Sequence, residues 1–446
     1  MSMNKQTAIA GLILLGLFAI PAGAGNLEPN MPPGPTMKTL QEVEPRTPVS
    51  SLPFTIDTPG SYYLTANLIG SSGLDGITIA SDDVTLDLNG FTLTGVAGSL
   101  DGIKVIPRSP TPFPRQNLKV HNGAVRNWGG GGVTGESSML NAQFSDLRLF
   151  NNGGHGIAAG PACQVRRCFV KSNGGSGIRH VNQSAVIEDN EVRGNSIGLD
   201  LVGTEAVVRN NIVRGNSDNY NILFNNRVDL LLCEIPETID FACKATLIAN
   251  LIGSSGQDGI TIDTDDVTLD LNGFSLTGVP GSLSGITISG SLIPSIVRSN
   301  IVVRNGAIRN WGALGISRTL NSGTKCQFLD LQVYNNVTDG ILTGATCAVK
   351  RCVVRDNGGS GINAGGNDCI IEDNTVTGNA TGLFTLQTNC VFRNNVVSGN
   401  TAAGLHVSGD SCCIEGNRFV NNETGLDINA SGNAVANNIV KGNTDN

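Results

Sequence analysis

Lys171, Arg193 and Arg214 stand 22 and 21 residues apart. A chain that returns to the same place at that interval stacks them into a column of like charge. Two unit charges ~5 Å apart repel by just under ~1 kcal/mol in water, and by several-fold more beside a low-dielectric surface. The column therefore costs stability unless an anion neutralises it, and an acidic polymer would suit it. Arg179, His180 and Asp200, from a neighbouring face, are candidate companions in the same groove. The competing account is a solvated surface on which acids such as Glu191 supply the counter-charge.

Cysteine is the second residue type with chemical potential. Cys326, Cys347, Cys369, Cys390 and Cys412 recur every 21 or 22 residues, a spacing that would stack thiols for zinc or copper. No histidine accompanies them, and Ala142, Cys163, Ala185 and Ala206 take the matching positions earlier in the chain. A position that accepts any small apolar group reads as a core stack, so no metal is expected there. Cys233 and Cys243 lie outside the repeat and form the candidate disulfide pair, and the 11 cysteines leave at least one unpaired within the chain.

The interval belongs to the chain as a whole. Gly followed by Ile or Leu occurs at Gly156, Gly177 and Gly198, and again at Gly340, Gly361, Gly382, Gly404 and Gly425. No stretch has helical periodicity, and a fixed short period marks a repeat architecture. Units of short strands and Asn/Gly turns bury their apolar faces only by stacking on copies of themselves, ~4.8 Å per coil. Asn190, Asn211, Asn374, Asn395, Asn417 and Asn438 are then expected to form one column at a tight turn, where Asn tolerates left-handed geometry. The fold class is all-β, a parallel β-helix of 21–22-residue coils.

That register makes further expectations. Lys350, Glu372, Arg393 and Glu415, and Arg166, Glu188 and Arg209, become outward ladders of alternating sign, worth ~0.2–1 kcal/mol per pair. Val186, Val207, Ile370 and Val391 become outward apolar columns that invite a partner or a cover, and the proline-rich Ile106–Asn117 segment is the candidate cover.

Composition and the N-terminus bound the function. The net charge is −8 and aromatics make up 4% of the 446 residues, which argues against general nucleic-acid binding and for a core of small and β-branched side chains. Lys5, the apolar run Ala8–Ile20 and Ala22-Gly23-Ala24 describe a signal peptide over residues 1–24, and so a secreted, periplasmic or cell-surface protein. No later apolar run reaches the ~20 residues of a membrane span. Residues 25–53 read as a proline-rich disordered leader.

A longer repeat overlies the first. "NLIGSSGLDGITIASDDVTLDLNGFTLTGVAGSL" from Asn67 returns from Asn250 with few changes, and Trp128 returns as Trp311. The chain is internally duplicated: module one over 54–222, a joint over 223–234, and module two over 235–446 with extra coils at Gly404 and Gly425. Whether the modules form one helix or bend at the joint is open. The final "IVKGNTDN" shows no polar cap, so self-association through that coil or the apolar columns is a candidate property, as is a longer tandem.

Asp75–Gly95, Asn122–Val133 ("NGAVRNWGGGGV") and the coils such as Cys369–Asn379 resemble the right-handed parallel β-helix repeat proteins of the pectate-lyase-like superfamily, including exported NosD-like proteins. The resemblance implies the handedness and a contact with extracellular or envelope polysaccharide. It leaves activity open, because that fold carries lyases, hydrolases, epimerases, adhesins and binding proteins. Gly154-His155-Gly156 is similar to a polygalacturonase motif, but "GGGGVT" replaces that family's aspartate pair and no Arg-x-Lys occurs. If the chain is an enzyme, a polysaccharide lyase or related uronate-acting enzyme with calcium as cofactor is implied; the alternative is a non-enzymatic adhesin or scaffold. Asp75, Asp82, Asp83 and Asp87, repeated as Asp258, Asp265, Asp266 and Asp270, are expected to hold turns, and the two tryptophans to pack between coils.

Overall fold

The computed structural model describes residues 45–223, 226–292, 295–319 and 322–445. The expected signal peptide, and the leader up to residue 44, lie outside the described residues. From Thr47 the chain winds as a parallel β-solenoid. Its first strand, Thr47–Val49, falls inside the stretch expected to be a leader: Val49 is buried and pairs with Leu64 of Gly60–Leu64. Among the described residues no helix is long and apolar enough to cross a membrane.

A regular coil has three strands. In one, Gln164–Arg166 and Phe169–Lys171 lie end to end, and Ser176–His180 belongs to a second sheet. The end-to-end strands build one 29-stranded sheet, and the third strands build sheets of eight and nine. Strand alternation puts Val165, Ile187 and Val208 in one internal column, Val170, Val192 and Val213 in the next, and Ile178 and Leu199 in the third. Burying each such side chain contributes roughly 1.5–3 kcal/mol, and the repeat supplies it coil after coil.

The asparagine column forms, but the left-handed residue is the one before it. Asp189, Asn210, Asp373 and Asn394 have φ of 54–58°, and the Asn that follows each turns inward. The bend must reverse side-chain direction without leaving the sheet, and the next residue then satisfies the orphaned backbone groups. Asn395 shows how: its Nδ2 donates to Ile371 O at 2.8 Å and to Asn417 Oδ1 at 2.9 Å, and its backbone N–H donates to the same Oδ1 at 2.9 Å. A second ladder, unforeseen as a column, runs at the next corner through Asn152, Asn173, Asn195 and Asn216, and through Asn336, Asn357, Asn379, Asn400, Asn422 and Asn443.

The joint resolves the open question of continuity. The long sheet runs straight through it, Val207–Arg214 pairing with Arg227–Leu232 across a register shift, and that strand pairing with Lys244–Leu247. The other side breaks: the eight-stranded sheet ends at Asp218–Ile222 and the nine-stranded sheet begins at Glu237–Ile239. Tyr220 and Phe241 meet edge to face across this interruption, with ring centroids 5.8 Å apart.

The remaining sequence expectations find their places. Trp128 and Trp311 are buried, and each indole N–H donates to a backbone oxygen, of Leu93 and Leu276, at 3.3 Å. The rings fill the space left by Gly70 and Gly76, and by Gly253 and Gly259, where a Cβ would lie 2.4–2.7 Å from the nearest ring carbon. Asp82 accepts from Gln116 N and Arg108, Asp83 from Asn117, and Asp87 from Asn89 N, so these carboxylates tie turns. Ile106–Asn117 pairs Arg115–Gln116 with Met139–Leu140 and is held by the Arg108–Asp82 pair. The five stacked cysteines are buried, the thiol of Cys347 donating to Gly323 O at 2.8 Å and that of Cys369 to Gly344 O at 3.1 Å. The disulfide expected between Cys233 and Cys243 is not formed: both are free thiols, Cys243 buried and Cys233 half-buried, on either side of the strand Glu237–Ile239.

Candidate functional site

Lys171 and Arg193 end the second strands of their coils, Arg214 ends the continuous strand Val207–Arg214, and the three are direct register partners. Because Val170, Val192 and Val213 point inward, the three cations point out. With Gly194, Gly215 and Glu234 they line a cavity of ≈ 240 Å³. Glu191 Oε1 lies 3.5 Å from Arg193 and 3.4 Å from Arg214, so two guanidiniums share one carboxylate. Lys171 has no ion-pair partner among the described residues. Arg193 rests over the Phe169 ring, 4.9 Å from its centroid, and its Nε is buried without a hydrogen-bond partner.

The three companions do not share this groove. Arg179, His180 and Asp200 lie on the second sheet, away from the cavity that the basic column lines. His180 is fully buried because it follows the outward Arg179 on an alternating strand; burial holds its pKa below the usual imidazole value, and neither ring nitrogen has a partner. It belongs to the core, not to a ligand groove. Arg179 is neutralised from two sides, by Glu136 at 3.0 Å and by its register neighbour Asp200 at 2.5 Å. Asp200 also accepts from Ser176 Oγ and Asn221 Nδ2, a saturated network. His155 accepts the backbone N–H of Ser176 at 2.9 Å, as Asp339 accepts that of Ser360 at 2.7 Å, so it serves as a turn anchor.

The groove has a neighbour that sequence reasoning missed. Glu234 accepts from Gly215 N at 2.7 Å and from Asn219 Nδ2 at 3.0 Å, and it also borders a cavity of ≈ 320 Å³ where the second sheet is interrupted. Tyr220, Glu237 and Asp240 line that cavity. Burial pushes the carboxyl of Glu237 up to about 7, with the nearby charge of Glu234 in the same direction, against one hydrogen bond from Asn219. The signal available in the sequence was the broken period between Ser217 and Cys243. Among the described residues no group of three or more His, Cys, Asp or Glu is placed to hold a metal ion.

Residues 238–389 and 320–445 match the family described as "Right handed beta helix region". No curated protein matches the sequence significantly. Among solved structures the chain is similar to the A-module of the Azotobacter vinelandii mannuronan C-5 epimerase AlgE6, at 14% identity over 85% of this chain and 90% of that one, with a TM-score of 0.30. It is similar to the tailspike protein of E. coli bacteriophage HK620, at 11% identity over 89% and 73%, with a TM-score of 0.31. A third likeness is to the PL6 family alginate lyase AlyGC, at 10% identity over 86% and 97%, with a TM-score of 0.26. The parallel coils on both sides of the joint give the chain the fold of a parallel β-helix, and the family match lies within residues 238–445 of it.

Proposed function

We propose that this is an exported protein whose first module binds an acidic extracellular or envelope polysaccharide along the Lys171, Arg193 and Arg214 face. The observation that carries the reading is the register of three cations on consecutive coils with one carboxylate between two of them and none beside Lys171. A polyuronate laid along the solenoid would bring a carboxylate to each coil, ~4.8 Å apart, and relieve the repulsion. The second reading is a non-enzymatic adhesin or scaffold that self-associates through its outer columns, favoured by the exposure of Val353, Ile370 and Val396.

The test compares the mature protein with K171A/R193A/R214A on polygalacturonate, alginate and a neutral glucan, with and without calcium, reading affinity and unsaturated product. Polyuronate affinity is expected to fall at least ~10-fold in the variant, with a weaker salt dependence and no loss of melting temperature, since the stacked cations repel one another. Equal affinities would overturn the proposal and leave the scaffold reading. Product formation lost in the variant would place lyase chemistry in the same groove.

A further inference from the structure

The extra coils of module two carry a hydrogen-bonded series that module one lacks. His406 lies on Ala403–Val407 and Asp427 on Thr424–Ile428, and the two are register partners on the outer face of the second sheet. His406 Nδ1 is 2.5 Å from Asp427 Oδ2, and His406 Nε2 is 2.9 Å from Ser408 Oγ. Strand alternation places residues 406 and 408 on one face, and the coil period places 427 beside 406. Asn429 Nδ2 donates to the other oxygen of Asp427 at 2.8 Å and fixes that carboxylate. The imidazole stacks on Phe384, with centroids 5.2 Å apart and planes within 10°.

This arrangement fixes a tautomer. A carboxylate at Nδ1 holds the proton there, so Nε2 faces the serine as an acceptor. Ser408 is exposed, and the side chain of His406 is 23% exposed, so the relay opens to solvent. Two apolar groups of the preceding coil border it, Phe384 beside His406 and Leu386, 56% exposed, ahead of Ser408. The backbone amides of Gly409 and Asp410, immediately after the serine, donate to no acceptor among the described residues; Gly409 is buried against the backbone of Gln387, and Asp410 is exposed. An amide just after the nucleophile is a usual donor to a developing oxyanion.

We propose that Ser408, His406 and Asp427 form a nucleophilic site that hydrolyses short-chain carboxylic esters. Ser408 Oγ attacks the ester carbonyl while His406 Nε2 takes the hydroxyl proton. The ester C–O bond breaks, and the same nitrogen returns the proton to the leaving alcohol. Water, deprotonated by His406, then cleaves the acyl-Ser408 ester, releasing the carboxylic acid and restoring the serine. Asp427 is a positioning residue that holds the ring and stabilises the imidazolium. The acyl chain has Phe384 and Leu386 to lie against, which favours a small apolar acid over a charged one.

The experiment uses the full mature chain with p-nitrophenyl acetate as substrate and a fluorophosphonate as trap, the adduct being mapped by peptide mass spectrometry. The adduct is expected on Ser408, with hydrolysis falling roughly 10³-fold in S408A and H406Q. D427N is expected to lower the rate constants of both acylation and deacylation while leaving the dissociation constant of the ester unchanged, which a merely structural carboxylate would not do. Melting curves of S408A confirm that the exposed substitution leaves the fold intact. A missing adduct on Ser408, or hydrolysis by S408A at the wild-type rate, overturns the proposal.

Discussion

Where module one stacks Lys171, Arg193 and Arg214, module two stacks Arg355, Thr377 and Ser398. Its single cation is held at 2.6 Å by Asp356 and lies 4.2 Å from the centroid of Tyr334. Beneath these faces the interiors match: Val170, Val192 and Val213 in one module, Val354, Val376 and Val397 in the other, all buried. Stacking constrains the inward residue at every coil, because each must fill the same cross-section. It constrains the outward residue only through its two neighbours, so a face can change while the core stays. The same divergence marks the second sheet, where Arg179 and Asp200 neutralise each other in module one and Asn363, Phe384, His406 and Asp427 follow one another in module two.

The largest expected effects test whether the interiors are as alike as they look. Asn190→Ala removes the acceptor of Cys168 N–H and the donor to Val165 O. Asn395→Ala strands Ile371 O and two donors of Asn374, its backbone N–H and its amide. Each buried group left without a partner costs ~1–3 kcal/mol. Both variants should therefore be strongly destabilised, and Asn395→Ala more so, by about one group's cost. The difference arises from ladder position: Asn190 stands first, beneath Cys168, as Asn374 stands first beneath Cys352, whereas Asn395 stands second and receives both donors of Asn374. Chemical denaturation of the two variants checks the order, and a reversed order would mean that position in the ladder does not set the cost.

How much of this was legible follows from the same constraint. Inward positions repeat with the coil, so the valine columns, the buried cysteines and the buried tryptophans could be read by counting. Outward ladders were legible where both partners lay on one column: Glu188 sits between Arg166 at 3.0 Å and Arg209 at 2.5 Å, and Glu372 pairs with Lys350 at 2.9 Å. His180 was misplaced because the grouping with Arg179 took sequence neighbours as spatial neighbours, whereas adjacent strand residues face opposite ways. Arg167–Asp146 and Arg351–Asp330, at 2.8 and 2.7 Å, were missed although the duplication repeats them, because each pairs bend residues that lie off the strand columns. The joint was legible only as a break in period. Nothing in that break says that one sheet continues while the other stops, and the burial of Glu237 follows from that stop.

Glu237 gives a test of intermediate size, placed between the modules. Its folded pKa, about 7, lies above the ordinary value of 4.5 because burial penalises the charged form. Below ~4.5 the carboxyl is protonated in both states and adds no pH dependence. Between the two values the folded state holds the proton that the unfolded state has lost, so stability falls as pH rises, by about 1.4 kcal/mol per unit and up to about 3 kcal/mol in all. Above pH 7 the loss levels off. The melting temperature should accordingly decline from pH 5 to pH 8, and E237Q should flatten that decline while gaining stability at pH 8. An unchanged profile in E237Q would show that the interruption of the second sheet is wetter than its geometry indicates.

The smallest effect separates decoration from structure on the outer faces. Arg393 lies 3.7 Å from Glu372 and 3.6 Å from Glu415, with its side chain 43% exposed. Two loose contacts in a wet setting contribute ~0.2–1 kcal/mol and are screened by salt. Arg393→Ala should cost no more than that at low salt and almost nothing at high salt. Glu188→Gln in module one should cost more and retain part of the cost in salt, since its carboxylate is only 8% exposed and is held by two arginines. Equal costs for the two substitutions would mean that burial of the ladder carboxylate adds nothing. In that case the charged faces of both modules are interchangeable, and the difference between them would rest on the basic column alone.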